Sequence, residues 1–364
     1  MDRSSHVALA AAGAFAACVT IPLLARPGPT WTGGARLTPL TRSPSVDVMV
    51  PAYLEASTIG PKVASLRAEF ERYDGAARVV VLASDDLTAA AAARAGADQV
   101  VVRPREGKAV ALNTGVAGSV ADVVVFTDAN CEIGPAGWLD LAVDKLRESH
   151  LVTATKTESG GSERAFWLYE RVLAGRSSDG ETLAVAGEFL ATRRADYVPL
   201  SATAILDDFE LAAHYVARGR RVTKATAILT SEPAAAPADQ WERRVRMAEG
   251  VLTEATPRLR HLARWPVGRH YIAHKYVRMT LGPVAFWSGV LAAAARGRGV
   301  GAAVLAATAY LVLGYRGAVP VAGPLRPVAA VVGMQAVPPA ALGRMARNSW
   351  RRDHSAALWK KVPR

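Results

Sequence analysis

The sequence predicts an α/β fold: a Rossmann-like, mostly parallel sheet in a domain flanked by transmembrane helices. Three observations lead there. Residues 45–265 alternate short β-branched apolar runs with charged helical patterns, the rhythm of strands joined by crossover helices. Residues 7–25 form one apolar stretch long enough to cross a bilayer at about 1.5 Å per residue. Further apolar runs follow at about 279–295, 300–315 and 327–342.

The elements follow in order. Residues 1–26 read as an uncleaved transmembrane anchor rather than a signal peptide. Only Arg3 stands against Asp2 before the apolar stretch, and Arg26-Pro27 closes it without a small-residue cleavage site. The soluble domain spans 45–265. Val46–Ala52 is a first strand, stopped by Pro51. Ser57–Tyr73 is a helix with Val63, Leu66 and Phe70 on one face, and Arg78–Ala83 is a second strand running into Asp85-Asp86. Thr88–Gly96 is an Ala-rich helix with glycine at its carboxyl end. Gln99–Val102 is a third strand, Lys108–Val116 a helix, and the run from Val120 to Asp128 a fully buried strand. Gly187–Arg194 is strand-like. No Gly-x-Gly-x-x-Gly follows the first strand, so a dinucleotide fold is disfavoured; Gly297-Arg298-Gly299-Val300-Gly301 lacks a preceding strand and reads as a membrane-edge linker.

Residues 266–342 are assigned to interfacial and transmembrane helices, and 343–364 to a basic cytoplasmic tail. In that tail Arg344, Arg347, Arg351, Arg352, Lys360, Lys361 and Arg364 are opposed only by Asp353. The net charge of +12 fits membrane flanks better than nucleic acid, for which no basic stripe with interleaved aromatics and no zinc spacing is found. A basic cytoplasmic tail and a cytoplasmic domain require an even number of later spans, so the expectation is two spans plus an interfacial helix, the run holding Gln335, Pro338 and Pro339 being the weakest. Cys18 and Cys131 are too few and too differently placed for a disulfide framework.

Candidate chemistry gathers where strands end. Open parallel sheets bind ligands past the carboxyl ends of their strands. Pro51, Ala52, Tyr53 and Glu55 lie past strand one, Asp85 past strand two, and Asp128 past the long buried strand. Tyr53 could stack on a base and Asp85 accept from a base N–H; the rival readings are that Tyr53 packs and Asp85 caps the next helix. Lys108 follows Gly107 at a helix start, where a cation suits phosphate, unless it is merely solvated. Asp128 could hold a divalent cation, with a helix cap as its rival role. Asp207-Asp208 precede Phe209-Glu210-Leu211 and are either a reactive acid pair or an acidic helix start.

Together these motifs resemble the family 2 inverting glycosyltransferases, which include cellulose and hyaluronan synthases and share the GT-A fold. The resemblance rests on Val48–Glu55, Ser84-Asp85, the segment from Gly107-Lys108 to Leu112-Asn113, Asp128-Ala129-Asn130 and Asp207-Asp208, over about 45–280. It implies a nucleotide-sugar donor, usually a UDP-sugar, and Mg²⁺ or Mn²⁺ at Asp128 and Asn130. Asn130 stands where the family pattern has a second acid, and Glu132 could compensate. Asp208 is implied as general base, helped by Asp207. Gln240–Gly250 resembles the family's Gln-x-x-Arg-Trp region in either of two registers, which nominates Arg243 and Arg246 for the diphosphate. Arg244 has a serious rival as a solvated basic residue near an anionic membrane surface. No tryptophan takes the family position, arguing for one sugar per encounter. Trp167 and Glu188 are nominated for the acceptor pocket, although aromatics at this spacing are more often packing. His274 reads as interfacial.

The expected activity is therefore transfer of a sugar at the cytoplasmic face of the plasma membrane, by a multi-pass protein, to a lipid-linked, saccharide or small-molecule acceptor. One alternative is a catalytically weakened membrane partner of a polysaccharide assembly. Another is a nucleotidyltransferase, for which Pro51–Ser57 lacks a Gly-rich triphosphate loop.

Overall fold

The protein is seen in a computed structural model that describes residues 3–24, 35–157, 180–233 and 236–351. Helix α1 (Arg3–Leu24) is followed by β1 (Val46–Ala52), α2 (Ile59–Phe70), β2 (Ala77–Ala83), α3 (Asp86–Arg94), β3 (Gln99–Val102), α4 (Lys108–Ala117) and β4 (Val123–Thr127). Then come β5 (Glu132–Gly134), α5 (Trp138–Leu146), β6 (Leu151–Thr157), β7 (Phe189–Arg193), α6 (Asp207–Ala217), β8 (Val222–Ser231) and α7 (Pro237–Gly250). Three long helices follow: α8 (Val277–Ala294), α9 (Arg298–Tyr315) and α10 (Arg326–Arg351).

The strands form a sheet in the order β3-β2-β1-β4-β7-β6-β8-β5. β1 pairs in parallel with both β2 and β4. The chain therefore winds outward in one direction through β3 and in the other from β4, and the crevice between β1 and β4 at their carboxyl ends is a topological switch point. The far half of the sheet is mixed, with β7 antiparallel to β4 and β6, and β6 parallel to β8. β1 and β4 are buried on both faces, as continuous apolar runs require. Val48, Val50 and Val125 pack towards α2, α3 and α5, while Met49, Val124 and Phe126 pack towards α4 and α6.

The apolar helices gather around α8. Phe15 of α1 meets Phe286 at 5.7 Å between ring centroids. Trp287 donates its indole N–H to the Gln335 carbonyl of α10 at 2.9 Å. Pro266–Ala294, Arg298–Tyr315 and Gly323–Trp350 are each long and apolar enough to cross a membrane, and Ser4–Thr20 is a shorter apolar helix. The last run, expected to be interfacial, thus qualifies as a span by length and composition.

Helix α7 joins the sheet domain to these helices. Trp241 lies 6.3 Å from the Tyr315 ring and beneath the Arg316 guanidinium at 4.9 Å. Arg344 of α10 donates to Glu242 at 3.1 Å and to the buried Glu249 at 2.6 Å. Arg344, expected in a solvated basic tail, is therefore part of an interhelical grip, because α10 continues to Arg351. Residues 352–364 of that tail lie outside the described residues.

Candidate active site

The loop after β1 is fixed by Asp85. Its Oδ2 accepts from the Leu54 backbone N–H at 2.7 Å and its Oδ1 from the Thr88 N–H at 2.8 Å, which caps α3. The same loop is held by Thr88, whose hydroxyl accepts from the Glu55 N–H at 2.9 Å. Leu54 is bent into a left-handed conformation at φ 53°, an uncommon strain that the two bonds stabilise. Asp85 thus does what its rival reading expected. Pro51 and Ala52 are the last residues of β1, and the Tyr53 ring beyond them carries the Arg105 guanidinium at 4.3 Å.

Lys108 is the junction of the site. It opens α4 behind Gly107, and its Nζ reaches Asp128 Oδ1 at 2.8 Å, Asp207 Oδ2 at 3.4 Å and the Gly187 carbonyl at 3.3 Å. One amine therefore draws together the end of β4, the start of α6 and the approach to β7. Burial works against its charge, but Asp128 and Asp207 outweigh that and hold it firmly protonated, with its pKa raised. Asp208 lies alongside. Its Oδ1 accepts from the Phe209 N–H at 2.8 Å, and a β-carbon at Gly187 would stand 3.2 Å from its Oδ2. Burial, and then the neighbouring Asp207, push the Asp208 carboxyl up to about 6.

Arg246 lies in the field of Asp207, Asp208 and Asp128. Its pKa is lowered by burial and by Arg243, against the pull of those three acids. Arg243 is tied elsewhere: it bonds Glu188 and Glu232, each at 3.1 Å. Lys156 bonds the same two carboxylates, reaching Glu232 at 2.6 Å. Glu188, nominated for the acceptor, is one corner of this nearly dry cluster, with its side chain 6% exposed. Trp167, nominated with it, lies outside the described residues.

The loop bearing Asp128 and Asn130 is held from below by Lys62 of α2. Its buried Nζ donates to Thr127 Oγ1 at 2.9 Å and to the Cys131 carbonyl at 2.7 Å, spanning the three residues between them. Burial brings the Lys62 pKa down to about 8. The donor set suits a hard divalent cation: Asp128 Oδ2 and the Asn130 side chain make no hydrogen bond among the described residues. No group of three or more His, Cys, Asp or Glu side chains among those residues could hold a metal alone. A cation here needs oxygens from a bound phosphate group to complete its shell, the usual habit of Mg²⁺.

Sequence reasoning missed Lys62, Lys156, Glu232 and Glu254. Only Lys62 left a signal, since it precedes Leu66 by one helical turn on the apolar face of α2. Glu254 belongs to a π-helical turn after α7 (Val251–Ala255), and its Oε1 accepts from the N–H groups of Ile205 at 2.6 Å and Leu206 at 3.2 Å.

Comparison with known proteins agrees with this architecture. Residues 47–197 match the family model described as glycosyl transferase family 2. A search of curated proteins gave no match. Among solved structures, the mannosyltransferase PcManGT from Pyrobaculum calidifontis, in complex with GDP-Man and Mn²⁺, superposes with a TM-score of 0.66 at 24% identity, over 96% of this chain and 100% of its own. Mannosyl-3-phosphoglycerate synthase from Rubrobacter xylanophilus gives 0.43 at 20% identity, over 61% of this chain and 76% of its own. Glucosyl-3-phosphoglycerate synthase from Mycobacterium tuberculosis, with Mn²⁺, UDP and glucosyl-3-phosphoglycerate, gives 0.41 at 18%, over 61% and 85%. Over residues 47–197 the chain is thus similar to the glycosyl transferase family 2 domain, and it has a GT-A-like α/β fold to which apolar helices are attached.

Proposed function

We propose that this chain is a membrane-bound, inverting glycosyltransferase that moves one sugar per encounter from a nucleotide-sugar to an acceptor hydroxyl. The observation that carries the reading is the convergence of Asp128, Asp207 and Asp208 on Lys108 at the switch point of the sheet. Tyr53 offers a ring face for the base. Asp128 Oδ2 and the Asn130 carbonyl would hold Mg²⁺ or Mn²⁺. The bound cation supplies neutralisation of the charge that grows on the departing diphosphate. Lys108 and Arg246 add fixed positive charge on the same side.

Asp208 is the general base. An acid with a pKa near 6 is ionised at neutral pH yet basic enough to take a proton as it leaves. The acceptor O–H proton passes to Asp208 while the oxygen bonds to the anomeric carbon. The bond from that carbon to the diphosphate oxygen breaks, and the nucleoside diphosphate leaves with the electron pair. One displacement inverts the centre. Asp207, held by Lys108, keeps Asp208 basic and steadies the acceptor. Trp241 is buried against Tyr315, which supports single transfer. The span-length helices favour a multi-pass protein, and the basic residues that flank them favour a transferase domain on the cytoplasmic side of the plasma membrane.

The test is release of nucleoside diphosphate by purified protein offered UDP- and GDP-sugars with Mn²⁺. The first class follows from the family resemblance, the second from the complex of the Pyrobaculum mannosyltransferase. Release from at least one donor is expected, with loss on chelation and in Asp128→Ala. No release from any donor, or release that survives Asp128→Ala, would overturn the proposal.

A further inference from the structure

Asp207 and Asp208 begin α6, but no capping side chain at its start fixes the direction in which they enter the cleft. The preceding residue, Leu206, makes no side-chain cap and has φ −115° and ψ 78°, so the entry angle is set by contacts to the loop before the helix. Two carboxylates set it. Glu210 Oε2 accepts from the Ser201 N–H at 3.1 Å, at the beginning of the loop. Glu254 Oε1 accepts from both Ile205 and Leu206 N–H groups, at its end. Glu254 lies on a π-helical turn, where one extra residue per turn displaces a side chain from the position an α-helix would give it. Gly250 allows the approach, since a β-carbon there would stand 2.3 Å from Leu206 Cγ.

Glu254 is enclosed, at 8% exposure, and its Oε2 is buried with no hydrogen-bond partner among the described residues. A buried carboxylate oxygen left unpaired is expensive to keep. The charged neighbours are Glu210, itself bonded to Arg258 at 3.1 Å and 3.9 Å from His214 Nε2, and Arg258, whose guanidinium is given to the Glu254 backbone carbonyl and to Glu210. None of them closes on Oε2. Burial pushes the Glu254 carboxyl up to about 7, which agrees with a site that tolerates the acid for what its other oxygen does.

We propose that Glu254 is a positioning residue for sugar transfer: by gripping the Ile205 and Leu206 backbone N–H groups it sets the entry of α6 and so aims Asp207 and Asp208 at the acceptor. The inference rests on the transferase reading above and adds to it a residue that touches neither donor nor acceptor. What the grip requires is an acceptor oxygen, not a charge.

Glu254→Ala and Glu254→Gln are compared with the unaltered protein, in detergent, with Mn²⁺ and the donor that turns over. Glu254→Ala is expected to lower kcat for transfer by between about tenfold and a hundredfold, the scale of an ångström's misplacement. Its affinity for the nucleoside diphosphate with Mn²⁺ stays within twofold, because the donor side is untouched. Glu254→Gln, which keeps an acceptor oxygen, is expected to recover transfer to within about threefold. The inference is overturned if Glu254→Ala transfers as fast as the unaltered protein, if nucleotide affinity falls in step with kcat, or if Glu254→Gln is as slow as Glu254→Ala. Absence of turnover in the unaltered protein with every donor would instead remove the transferase reading itself.

Discussion

Replacing Asp208 by Asn should make the protein inactive and, above neutral pH, more stable. The fold raises this carboxyl from the ordinary 3.8 to about 6, chiefly by burial and then by Asp207. At about 1.4 kcal/mol per pH unit, that rise corresponds to at most about 3 kcal/mol. The sign follows from proton binding. The native state holds this proton more tightly than the unfolded chain does, so its stabilising contribution is complete below 3.8 and is lost as pH climbs through about 6. Asparagine never ionises, and its side-chain oxygen can still accept from the Phe209 N–H. At pH 8 Asp208→Asn should therefore melt higher by up to about 4 °C, taking about 1.3 °C per kcal/mol for a chain of this size. At pH 4 the two melting temperatures should converge. Transfer should fall by about 10²–10⁴, the usual weight of a general base. Melting curves in one detergent across pH 4–8, beside diphosphate release with acceptor present, decide the matter. A stability gain that is absent at pH 8, or equal at both ends, would refute the burial argument. Undiminished transfer would remove the base.

Two glycines test the packing around the same aspartates. Gly250→Ala would drive its methyl to 2.3 Å from Leu206 Cγ and should cost about 1–3 kcal/mol together with most of the activity. Gly187→Ala would meet Asp208 Oδ2 at 3.2 Å, a shortfall of only a few tenths of an ångström, so kcat should drop with melting temperature nearly unchanged. Arg344→Met should strand the buried Glu249 and destabilise the protein by about 1–3 kcal/mol, and adding Glu249→Gln should restore most of the loss in thermal unfolding.

The parallel half of the sheet was legible because each strand is a continuous apolar run that needs no distant partner to be recognised. β1, β2 and β4 fall within a residue or three of their expected bounds. β6 and β8 were not singled out. Leu151–Thr157 and Val222–Ser231 are punctuated by threonine and lysine, and they become strands by pairing with each other across about 70 residues of chain. The aspartates stood out for the same local reason, since each abuts a patterned element. Their supports did not. Lys156 meets Glu232 across 76 positions and Glu254 meets Leu206 across 48, separations that leave no periodic trace. The two registers weighed for the arginine region correspond to different surroundings: Arg243 joins the Glu188–Lys156–Glu232 cluster, and Arg246 faces the aspartates. Among the described residues the Asn130 side chain makes no hydrogen bond, beside Asp128.

Helix α7 has a further bearing on how this protein can be handled. Its Trp241, Val245 and Ala248 are buried against Tyr315 and the α10 residues Ala330, Val337 and Ala341, while Arg243 of the same helix pairs with Glu188 and Glu232 and Arg246 lies in the field of the aspartates. A catalytic fragment trimmed at the last soluble residue would lay this stripe bare to solvent and leave the two arginines on an unsupported rod. Crystallographers and enzymologists seeking a detergent-free version would do better to retain the greasy carboxyl-terminal helices and redesign their outer faces than to cut them away.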